Sequence, residues 1–460
     1  MVEKRPTGRS RVCVLRSPLL IALAVSTLAA TPRFTAASRW HPDITSQQPS
    51  TRLSAKTRTE IFDKVGKEIQ EHYYDPALNG VDWGAVQRQY LPEAVAAKSD
   101  QEFYAVLSRM TSELHDAHTR FSSPEQWKVV KRQQGVGAGF SVDRVDGQVV
   151  VNTVRAHSSA ADAGIQPGMI LISVDGQPVS DRLAELERDR PASSSDRATQ
   201  MVAFARLLAG PPGSTLQVTL QTANGTKWNL ALARQVYSVA SKVFSERLPS
   251  GNGYIRFDSF DQSTTKEFRE ALAKFSAAPG MVIDLRRNGG GDLSVLLPIA
   301  GYFFDKKTLF AKDATRTGKP LSEFAGIFKL PLDLYVGKAG DQIFSGPVVI
   351  LVGPRSASSA EVFAAGMQES RRATIVGSPT CGCVLGIAKP RVMKGGGVLE
   401  MSEVLWFSPS GRKLEGSGVT PDQPVVTTVS DLQQRRDVAM QEAYAILWRT
   451  ASMAQRASRQ

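Results

Sequence analysis

The sequence predicts a multidomain α/β protein with an N-terminal helical domain, a small β-rich domain and an α/β core. Three observations support this prediction. The 460 residues exceed what one ordinary hydrophobic core holds. The apolar spacing changes from helical to short β-type runs near residue 131, and strands alternate with helices from about residue 236 onward. Such alternation is typical of an α/β domain with a largely parallel sheet.

Residues 1–37 are predicted to be a signal peptide. Basic residues precede an apolar run that begins at Pro18, and small residues follow it. The run is too short to span a bilayer comfortably, so we expect cleavage and an exported, periplasmic or secreted protein. Membrane contact is expected only if this segment stays uncleaved. Residues 38–52 are polar and contain proline and serine, which predicts a linker.

Charge and composition exclude several classes of protein. A hydrophobic fraction of 42% and a charged fraction of 22% are typical of a globular chain and exclude a disordered or fibrous one. The net charge of +12 falls to about +7 without residues 1–37. No basic block is interleaved with aromatic residues, so no nucleic-acid partner is expected.

Three cysteines are present, and Cys13 would be lost with the signal peptide. Cys381 and Cys383 are separated by one glycine and do not form a disulfide framework. A labile disulfide and two buried thiols are both open possibilities. Zinc would need further ligands, and the only histidines are remote in sequence, so neither a metal nor another cofactor is expected.

The helical domain is assigned to residues 53–130, where apolar residues recur at helical spacing from Ile61 and again from Phe103. The β-rich domain is assigned to residues 131–235. Its predicted strands cover residues 148–151, 169–174 and 215–220, with turn dipeptides beside them and a helix over 199–208.

The α/β core is assigned to residues 236–430. Apolar runs at 254–257, 281–285 and 347–352 predict buried strands, and helices are expected near 265–276 and 359–370. Residues 431–460 are predicted to be a C-terminal helix and tail, with Ser430 or Asp431 as the cap.

A serine-rich turn between a predicted strand and helix contains Ser358. The end of a parallel strand is where α/β enzymes present reactive side chains, and a helix N-terminus favours a developing negative charge. The alternative is that these serines only cap the helix. A second turn carries three consecutive glycines, 289–291, whose N–H groups can approach a substrate carbonyl closely. No Lys-Ser/Thr pair follows the glycines, so a Walker-type phosphate loop is excluded.

These two turns resemble motifs of the C-terminal processing (tail-specific) serine peptidases. Residues 284–291 are similar to the strand-turn motif of that family. Residues 356–361 look like its nucleophile segment, with Ser358 in the catalytic place. The resemblance implies a ClpP/crotonase-like core and a serine endopeptidase that acts through an acyl-enzyme.

Two further segments extend the resemblance over about residues 55–430. Residues 135–140 and 160–169 resemble the family's PDZ domain, and residues 415–422 match its terminal signature. The PDZ resemblance implies a carboxylate-binding loop at Gly137, Ala138, Gly139 and Phe140, and partners that are protein or peptide C-termini, apolar ones above all. The insert around residues 180–200 is a candidate for obstructing or regulating that groove.

One position departs from the family pattern. Tail-specific peptidases activate the serine with a lysine, and Cys383 stands in its place here. In the related Tricorn-type peptidases a histidine and a glutamate do this work, and the matching positions are His118 and Glu415. The resemblance therefore implies that His118 takes the Ser358 proton and that Glu415 orients the imidazole, directly or through a hydroxyl.

The predicted oxyanion hole consists of the N–H groups of Gly290 and Ser359. For His118 the alternative is a structural histidine at a helix end, and Lys389 is a weaker candidate for the base. Two other functions stay open for the whole chain. One is a non-catalytic PDZ-containing adaptor, and the other is a carrier of hydrophobic ligands on the same scaffold.

Overall fold

The computed structural model describes residues 52–188, 193–321, 331–337 and 343–457. The predicted signal peptide and all of the predicted linker except Arg52 lie outside the described residues. Within the described ranges, no helix is both long enough and apolar enough to cross a membrane.

The N-terminal domain consists of helices whose caps are visible in the sequence. Ser54 Oγ accepts the N–H of Thr57, and Ser99 Oγ accepts that of Glu102, so each serine satisfies an end N–H of its helix. The apolar faces meet in a core of their own. The elements are α1 (Ala55–His72), α2 (Trp83–Ala96), α3 (Asp100–Ser112), β1 (Arg120–Ser122) and α4 (Pro124–Lys131).

The second domain is an antiparallel sheet with helices against it. Its elements are β2 (Gln134–Gly137), β3 (Phe140–Val145), β4 (Gln148–Val154), α5 (Ser159–Asp162), β5 (Ile170–Val174), β6 (Gln177–Pro178), α6 (Val179–Arg188), α7 (Asp196–Leu208), β7 (Thr215–Gln221) and β8 (Lys227–Ala233). The strand order is β3-β4-β5-β7-β8, so β3 is an edge strand. Helix α7 packs beside β3. This arrangement leaves a groove that is bounded by a free strand edge and a helix.

The third domain carries the parallel sheet. Its elements are β9 (Gln235–Ser238), β10 (Phe244–Arg247), β11 (Gly253–Arg256), α8 (Thr264–Ala273), β12 (Met281–Asp284), α9 (Leu293–Gly301), β13 (Thr308–Thr315), β14 (Asp333–Val336), β15 (Val348–Val352), α10 (Ser359–Glu369), β16 (Ala373–Gly377), β17 (Leu385–Ile387), β18 (Arg391–Val392), β19 (Val398–Glu400), β20 (Ser402–Phe407) and β21 (Gln423–Pro424). The main sheet has the order β10-β11-β12-β15-β16-β21 and is parallel from β11 onward. Strands β12 and β15 are buried at every residue, which explains their unbroken apolar runs.

Two smaller sheets accompany the main sheet, and one of them joins the core to the helical domain. Strands β14-β13-β20-β17 form an antiparallel sheet that the sequence patterns did not predict. Strand β1 of the helical domain pairs with β19 of the core in the sheet β1-β19-β18. Backbone pairing therefore fixes the helical domain against the core, and it does so directly after His118.

The C-terminal segment differs from the prediction of one helix starting at residue 431. A short helix, α11 (Val429–Gln433), comes first and is capped by Thr428 instead of Ser430 or Asp431. Asp431 turns back to accept the N–H of Thr428, and Arg435 has a positive φ of 54°, which ends the helical path. The long helix, α12 (Val438–Ala457), begins three residues later. The cap at Thr428 and the left-handed residue Arg435 therefore limit α11 to a short helix, and the chain turns there before α12 packs on the sheet.

Two further differences lie in the β-rich domain. Helix α7 starts three residues before the predicted position because Ser195 Oγ accepts the N–H of Ala198 and caps it there. Helix α6 occupies part of the segment that the sequence suggested as an insert. The predicted fold class, with helical, PDZ-like and α/β parts, is confirmed.

Arg286 anchors α12 to the end of β12. Its guanidinium donates to both oxygens of Asp284 at 3.0 and 2.6 Å and to both oxygens of Asp437 at 2.8 and 2.9 Å. Tyr254 adds a hydroxyl bond of 2.9 Å to Asp284. Burial acts to raise the pKa of Asp284, but the charge and hydrogen bonds of Arg286 outweigh it and hold the pKa below the usual range.

We expect Arg286→Met to lower the free energy of unfolding by about 3–5 kcal/mol at pH 7, because it leaves the buried Asp284 carboxylate unpaired. Since the pKa of Asp284 is depressed, its stabilising effect is complete above the ordinary value of 3.8 and is lost as the pH falls through the lower folded value. Urea unfolding at pH 7 and pH 3 measures both effects. The exposed Arg269→Met is the control, and an equal loss from both variants would contradict this role.

Candidate active site

Ser358 lies in a strained turn between β15 and α10. Its φ is +55° and its ψ is −123°, a conformation that non-glycine residues adopt only where the surrounding structure enforces it. The neighbouring serines are bound internally: Ser356 Oγ donates to the carbonyl of Leu285 at 2.7 Å, and Ser359 Oγ to that of Gly291 at 2.6 Å. Ser356 and Ser359 are buried, whereas Ser358 is half-exposed. Of the three, Ser358 is the serine that a substrate can reach.

The Glu361 carboxylate holds this turn from inside the protein. One oxygen accepts the hydroxyl of Thr380 at 2.6 Å and the N–H of Gly382 at 2.7 Å. The other accepts the N–H groups of Cys383 at 3.0 Å and Ser358 at 3.1 Å. Burial raises the pKa of Glu361 to about 7 against the effect of these four donors. Glu361 therefore ties the nucleophile turn to the segment that carries the cysteines.

The glycine turn lies directly against Ser358. A side chain at Gly290, whose φ is +98°, would place its Cβ 2.6 Å from the Cβ of Ser358, so only glycine fits. The N–H of Gly290, a predicted oxyanion donor, donates to Asn288 Oδ1 at 2.9 Å. The N–H of Ser359 lies in the first turn of α10, where the helix supplies no acceptor. Of the two predicted oxyanion donors, the N–H of Gly290 is already hydrogen-bonded within the turn, whereas that of Ser359 has no acceptor within its helix.

Cys381 and Cys383 are joined by a disulfide, and both residues are buried. The carbonyl of Cys383 accepts the N–H of Ser358 at 2.8 Å, and the N–H of Cys381 donates to the carbonyl of Ser356 at 2.9 Å. The cysteine segment consequently brackets the nucleophile turn with backbone hydrogen bonds. It carries no amine side chain at position 383. Lys389 lies on an exposed loop after β17.

The loop that carries His118 is built around a buried carboxylate. Asp116 accepts the N–H groups of His118 at 2.7 Å and Thr119 at 2.6 Å. It also accepts the hydroxyls of Tyr73 at 2.8 Å and Ser402 at 3.0 Å. Because Ser402 belongs to the core and Tyr73 to the helical domain, Asp116 fixes the His118 backbone where the two domains meet.

The His118 imidazole is neutral at pH 7, since burial lowers its pKa to about 4. Nδ1 of this ring is buried and has no hydrogen-bond partner within the described ranges. The preceding Ala117 packs on the disulfide cluster, as does Ala357, which precedes Ser358. The structure therefore brings the two loops to one cluster, but no hydrogen bond joins Ser358 to His118 among the described residues. Helix α3 ends at Ser112, so His118 does not cap it.

Glu415 reaches the same region from the other side. Its carboxylate accepts the N–H of Val384 at 2.6 Å and a hydrogen bond from the Ser194 hydroxyl. Ser194 Oγ in turn accepts the N–H of Ala117 at 3.0 Å. Burial raises the pKa of Glu415 to about 7, and the negative charge of Asp116 adds to the rise. A hydroxyl thus lies between Glu415 and the histidine loop, although it contacts the backbone instead of the imidazole.

The predicted carboxylate loop connects β2 to β3 at the edge of the PDZ-like sheet. Gly139 has a φ of +89°, and a Cβ there would lie 2.1 Å from that of Ser158. The carbonyl of Gly139 accepts the N–H of Arg155 at 2.7 Å, and that of Ala138 accepts the N–H of Ala160 at 2.9 Å. Both carbonyls are therefore bound within the domain. The loop ends where the edge strand β3 begins.

Sequence reasoning assigned no role to Glu361, Asp116 or Ser194. For Glu361 a signal was present, because Ser358-x-x-Glu361 has the spacing of a helix capping box. Ser194 is remote in sequence from both of its contacts, so no local pattern identifies it. Across the described ranges, no group of three His, Cys, Asp or Glu side chains is arranged to hold a metal ion.

We expect Glu361→Gln to slow the reaction of Ser358 with a fluorophosphonate probe about tenfold or more. The amide keeps one oxygen for one pair of N–H or O–H donors and turns its NH2 group toward the other pair. The loss of two charge-assisted bonds also lowers the free energy of unfolding by about 3 kcal/mol. Labelling kinetics and urea unfolding are the measurements, with the exposed Glu270→Gln as the control. Wild-type values for both would disprove this positioning role.

Three family models match the chain in the order of its domains. Residues 251–425 match Peptidase family S41, residues 54–112 match the Tricorn protease C1 domain, and residues 150–188 match the PDZ domain. The chain is 25% identical over 405 residues to a carboxyl-terminal-processing protease of Synechocystis, covering 85% of this chain and 87% of that protein. It is 26% identical over 375 residues to the chloroplastic C-terminal processing peptidase of Tetradesmus obliquus, covering 79% and 76%. A Streptomyces coelicolor protein named as a tricorn protease homologue is 25% identical over 414 residues, but this chain spans only 32% of its length.

Solved structures share the fold. The photosystem II D1 C-terminal processing protease superposes with a TM-score of 0.56 at 23% identity, over 80% of this chain and 93% of that one. Mature CPAF complexed with lactacystin superposes with a TM-score of 0.63 at 15% identity, over 87% and 98%. The family models and the carboxyl-terminal-processing relatives show that the chain belongs to peptidase family S41, the C-terminal processing peptidases, and carries Tricorn C1 and PDZ domains.

Proposed function

We propose that this chain is a serine endopeptidase that attacks its substrates through a Ser358 acyl-enzyme. The observation that carries the proposal is the strained, half-exposed Ser358 at the N-terminus of α10, with two neighbouring serines bound inward. A strained turn that projects one hydroxyl from a strand end is typical of a nucleophile. The helix N-terminus favours the negative charge that develops on the substrate carbonyl.

His118 is the proposed general base. Its imidazole is neutral at pH 7, and its loop packs on the same disulfide cluster as the Ser358 turn. It would accept the Ser358 proton and return it to the leaving amine. Glu415 would steady the loop through Ser194, whose hydroxyl contacts the carboxylate and the Ala117 N–H. The missing Ser358–His118 hydrogen bond would form as substrate draws the loops together, since catalytic bonds often tighten only in the complex.

The proposed oxyanion hole begins with the N–H of Ser359. The N–H of Gly290 would join it by exchanging its bond to Asn288 for one to the substrate oxygen. Such an exchange retains the hydrogen bond while a stronger, charged acceptor replaces the amide. A Cβ built at Gly290 would lie 2.6 Å from that of Ser358, and this close approach supports the assignment of the Gly290 N–H to the oxyanion hole.

The proposed substrates are proteins or peptides recognised by their C-termini. The outer edge of β3 can pair with an added strand that displaces Arg355 from the carbonyl of Val142, and the loop Gly137–Ala138–Gly139–Phe140 precedes it. Relatives named for C-terminal processing support this assignment. We further propose that the protein is exported, because its disulfide suits an oxidising compartment.

A non-catalytic PDZ-containing adaptor is the second candidate. The observation in its favour is the disulfide at the position of the family's lysine, together with the unpartnered Nδ1 of His118. An adaptor would bind C-termini without reacting with an activated-serine probe.

We expect a fluorophosphonate probe to label the wild-type protein and not Ser358→Ala. His118→Ala should slow labelling and peptide cleavage by about 100-fold or more, as loss of a general base typically does. The measurements are gel fluorescence of the labelled protein and release of fluorescent peptide.

The matched control is His157→Ala, since His157 is an exposed histidine on the PDZ domain. It should leave both rates unchanged. Labelling that persists in Ser358→Ala would overturn the nucleophile, and a full rate in His118→Ala would overturn the base.

We also expect cleavage of a reporter protein with a free C-terminus to be at least tenfold more efficient than cleavage of the same protein with an amidated C-terminus, because the loop N–H groups bind a carboxylate. The comparison uses kcat/KM for both reporters. Equal values would mean that the C-terminal carboxylate is not recognised.

A further inference from the structure

A cleft lies between the PDZ domain and the α/β core. Its volume is about 650 Å³, and its walls come from the PDZ domain, the core and the segment around α11. On the core side it opens at the carboxyl ends of β11, β12, β15 and β16. Ligands of parallel α/β sheets bind at this edge. On the PDZ side, residues of β3 and α7 line it, so it is continuous with the groove beside the strand edge.

The charged side chains lining the cleft are mostly arginines. Eight arginines and four aspartates face it, with no lysine or glutamate among the lining residues. Some of the arginines are neutralised locally: Arg286 lies between Asp284 and Asp437, and Arg355 pairs with Asp143 at 2.9 Å. Arg256 and Arg287 share the single carboxylate of Asp258, at 4.0 and 3.0 Å, which lies outside the lining.

Three of the arginines contact no carboxylate in the described part of the chain: Arg197 donates to the carbonyls of Thr380 and Ser417, and the other two face solvent. Arg144 is exposed on the edge strand β3. Arg435 is exposed at the turn after α11, and its guanidinium donates to the amide oxygen of Gln166 at 3.2 Å. Both are solvated cations on the cleft wall, so a ligand carboxylate that approaches them displaces no protein carboxylate.

The backbone directions along the edge strand β3 indicate where a bound peptide would meet arginine side chains. Arg355 donates to the carbonyl of Val142 at 2.8 Å, so that carbonyl points outward from the sheet. In an antiparallel edge the outward positions alternate, which makes Arg144 the next outward residue along β3. A peptide whose C-terminus lies at the loop before β3 would pair first with Val142 and then with Arg144. The peptide residues opposite Arg144 are therefore a few positions upstream of its C-terminus.

From this geometry we propose that the cleft selects substrates with acidic side chains a few residues upstream of the C-terminus, and that Arg144 and Arg435 read them. The inference rests on the proposed function, since it takes the occupant to be a polypeptide held on β3. Carboxylates placed there would pair with the uncompensated guanidiniums. A peptide with arginine or lysine at the same positions would meet like charges.

The experiment compares two reporter proteins whose C-terminal tails are identical except for Glu or Gln at the third to fifth positions from the end. Cleavage by the wild-type enzyme gives kcat/KM for each tail, and fluorescence anisotropy with Ser358→Ala gives the dissociation constants. The variant is Arg144→Gln/Arg435→Gln. Its matched control is Arg88→Gln/Arg269→Gln, which removes two exposed arginines outside the cleft.

We expect the Glu tail to be bound and cleaved about fivefold better at low ionic strength, an effect of the size of two exposed ion pairs. The preference should shrink in 0.5 M salt, because solvated charges are screened. The double cleft variant should lose it while cleaving the Gln tail at the wild-type rate, and the control should retain it.

Equal affinities for the two tails, or a preference that survives in the cleft variant, would overturn this inference. If the wild-type enzyme cleaves neither tail, the proposed peptidase function fails. The binding comparison with Ser358→Ala still decides the acidic preference in that case, so the two failures are distinguishable.

Discussion

The site depends on one buried carboxylate. Ser358 occupies a backbone conformation that costs about 1–3 kcal/mol, and such a conformation persists only where its surroundings enforce it. Glu361 enforces it by accepting the N–H of Ser358 while its other contacts hold the Thr380–Cys383 segment. Because one carboxylate connects the two loops, the nucleophile and the segment facing it are positioned together. Burial of the carboxylate excludes water that would otherwise compete for these donors.

The backbone of the cysteine segment holds the turn that carries Ser358 in place. Two backbone bonds, from Ser358 to Cys383 and from Cys381 to Ser356, link the cysteine segment to the nucleophile turn. They need no particular side chain, so this frame does not depend on which residue stands at position 383. The proposed base, His118, comes from the helical domain and has to be placed accurately across a domain boundary. The β1–β19 pairing and the Asp116 hydrogen bonds supply that placement, since both lie within a few residues of His118.

Local sequence patterns predicted the elements whose structure depends on neighbouring residues, namely the buried strands and the capped helices. Buried parallel strands appeared as unbroken apolar runs, and α10 was predicted to within one residue. The sheet β14-β13-β20-β17 was missed because its strands come from separate parts of the sequence and pair only in the folded chain. The helix predicted at residue 431 was wrong in its start, since Arg435 takes a left-handed conformation that the side-chain pattern does not reveal. Ser358 was predicted as the nucleophile from its place between a strand and a helix, and it lies in a strained turn there, whereas Ser194 reaches this region only through tertiary contacts.

Those tertiary contacts make the PDZ domain part of the frame around Ser358. Ser195 donates to the carbonyl of Cys381, and Arg197 donates to the carbonyls of Thr380 and Ser417. On the other side of the nucleophile turn, Arg355 crosses to Asp143 and to Val142 on the edge strand. The PDZ domain therefore contacts both the cysteine segment and the turn that precedes Ser358. A peptide that pairs with β3 at Val142 competes with Arg355 for the same carbonyl, so occupation of the groove must alter a bond that begins three residues before the nucleophile.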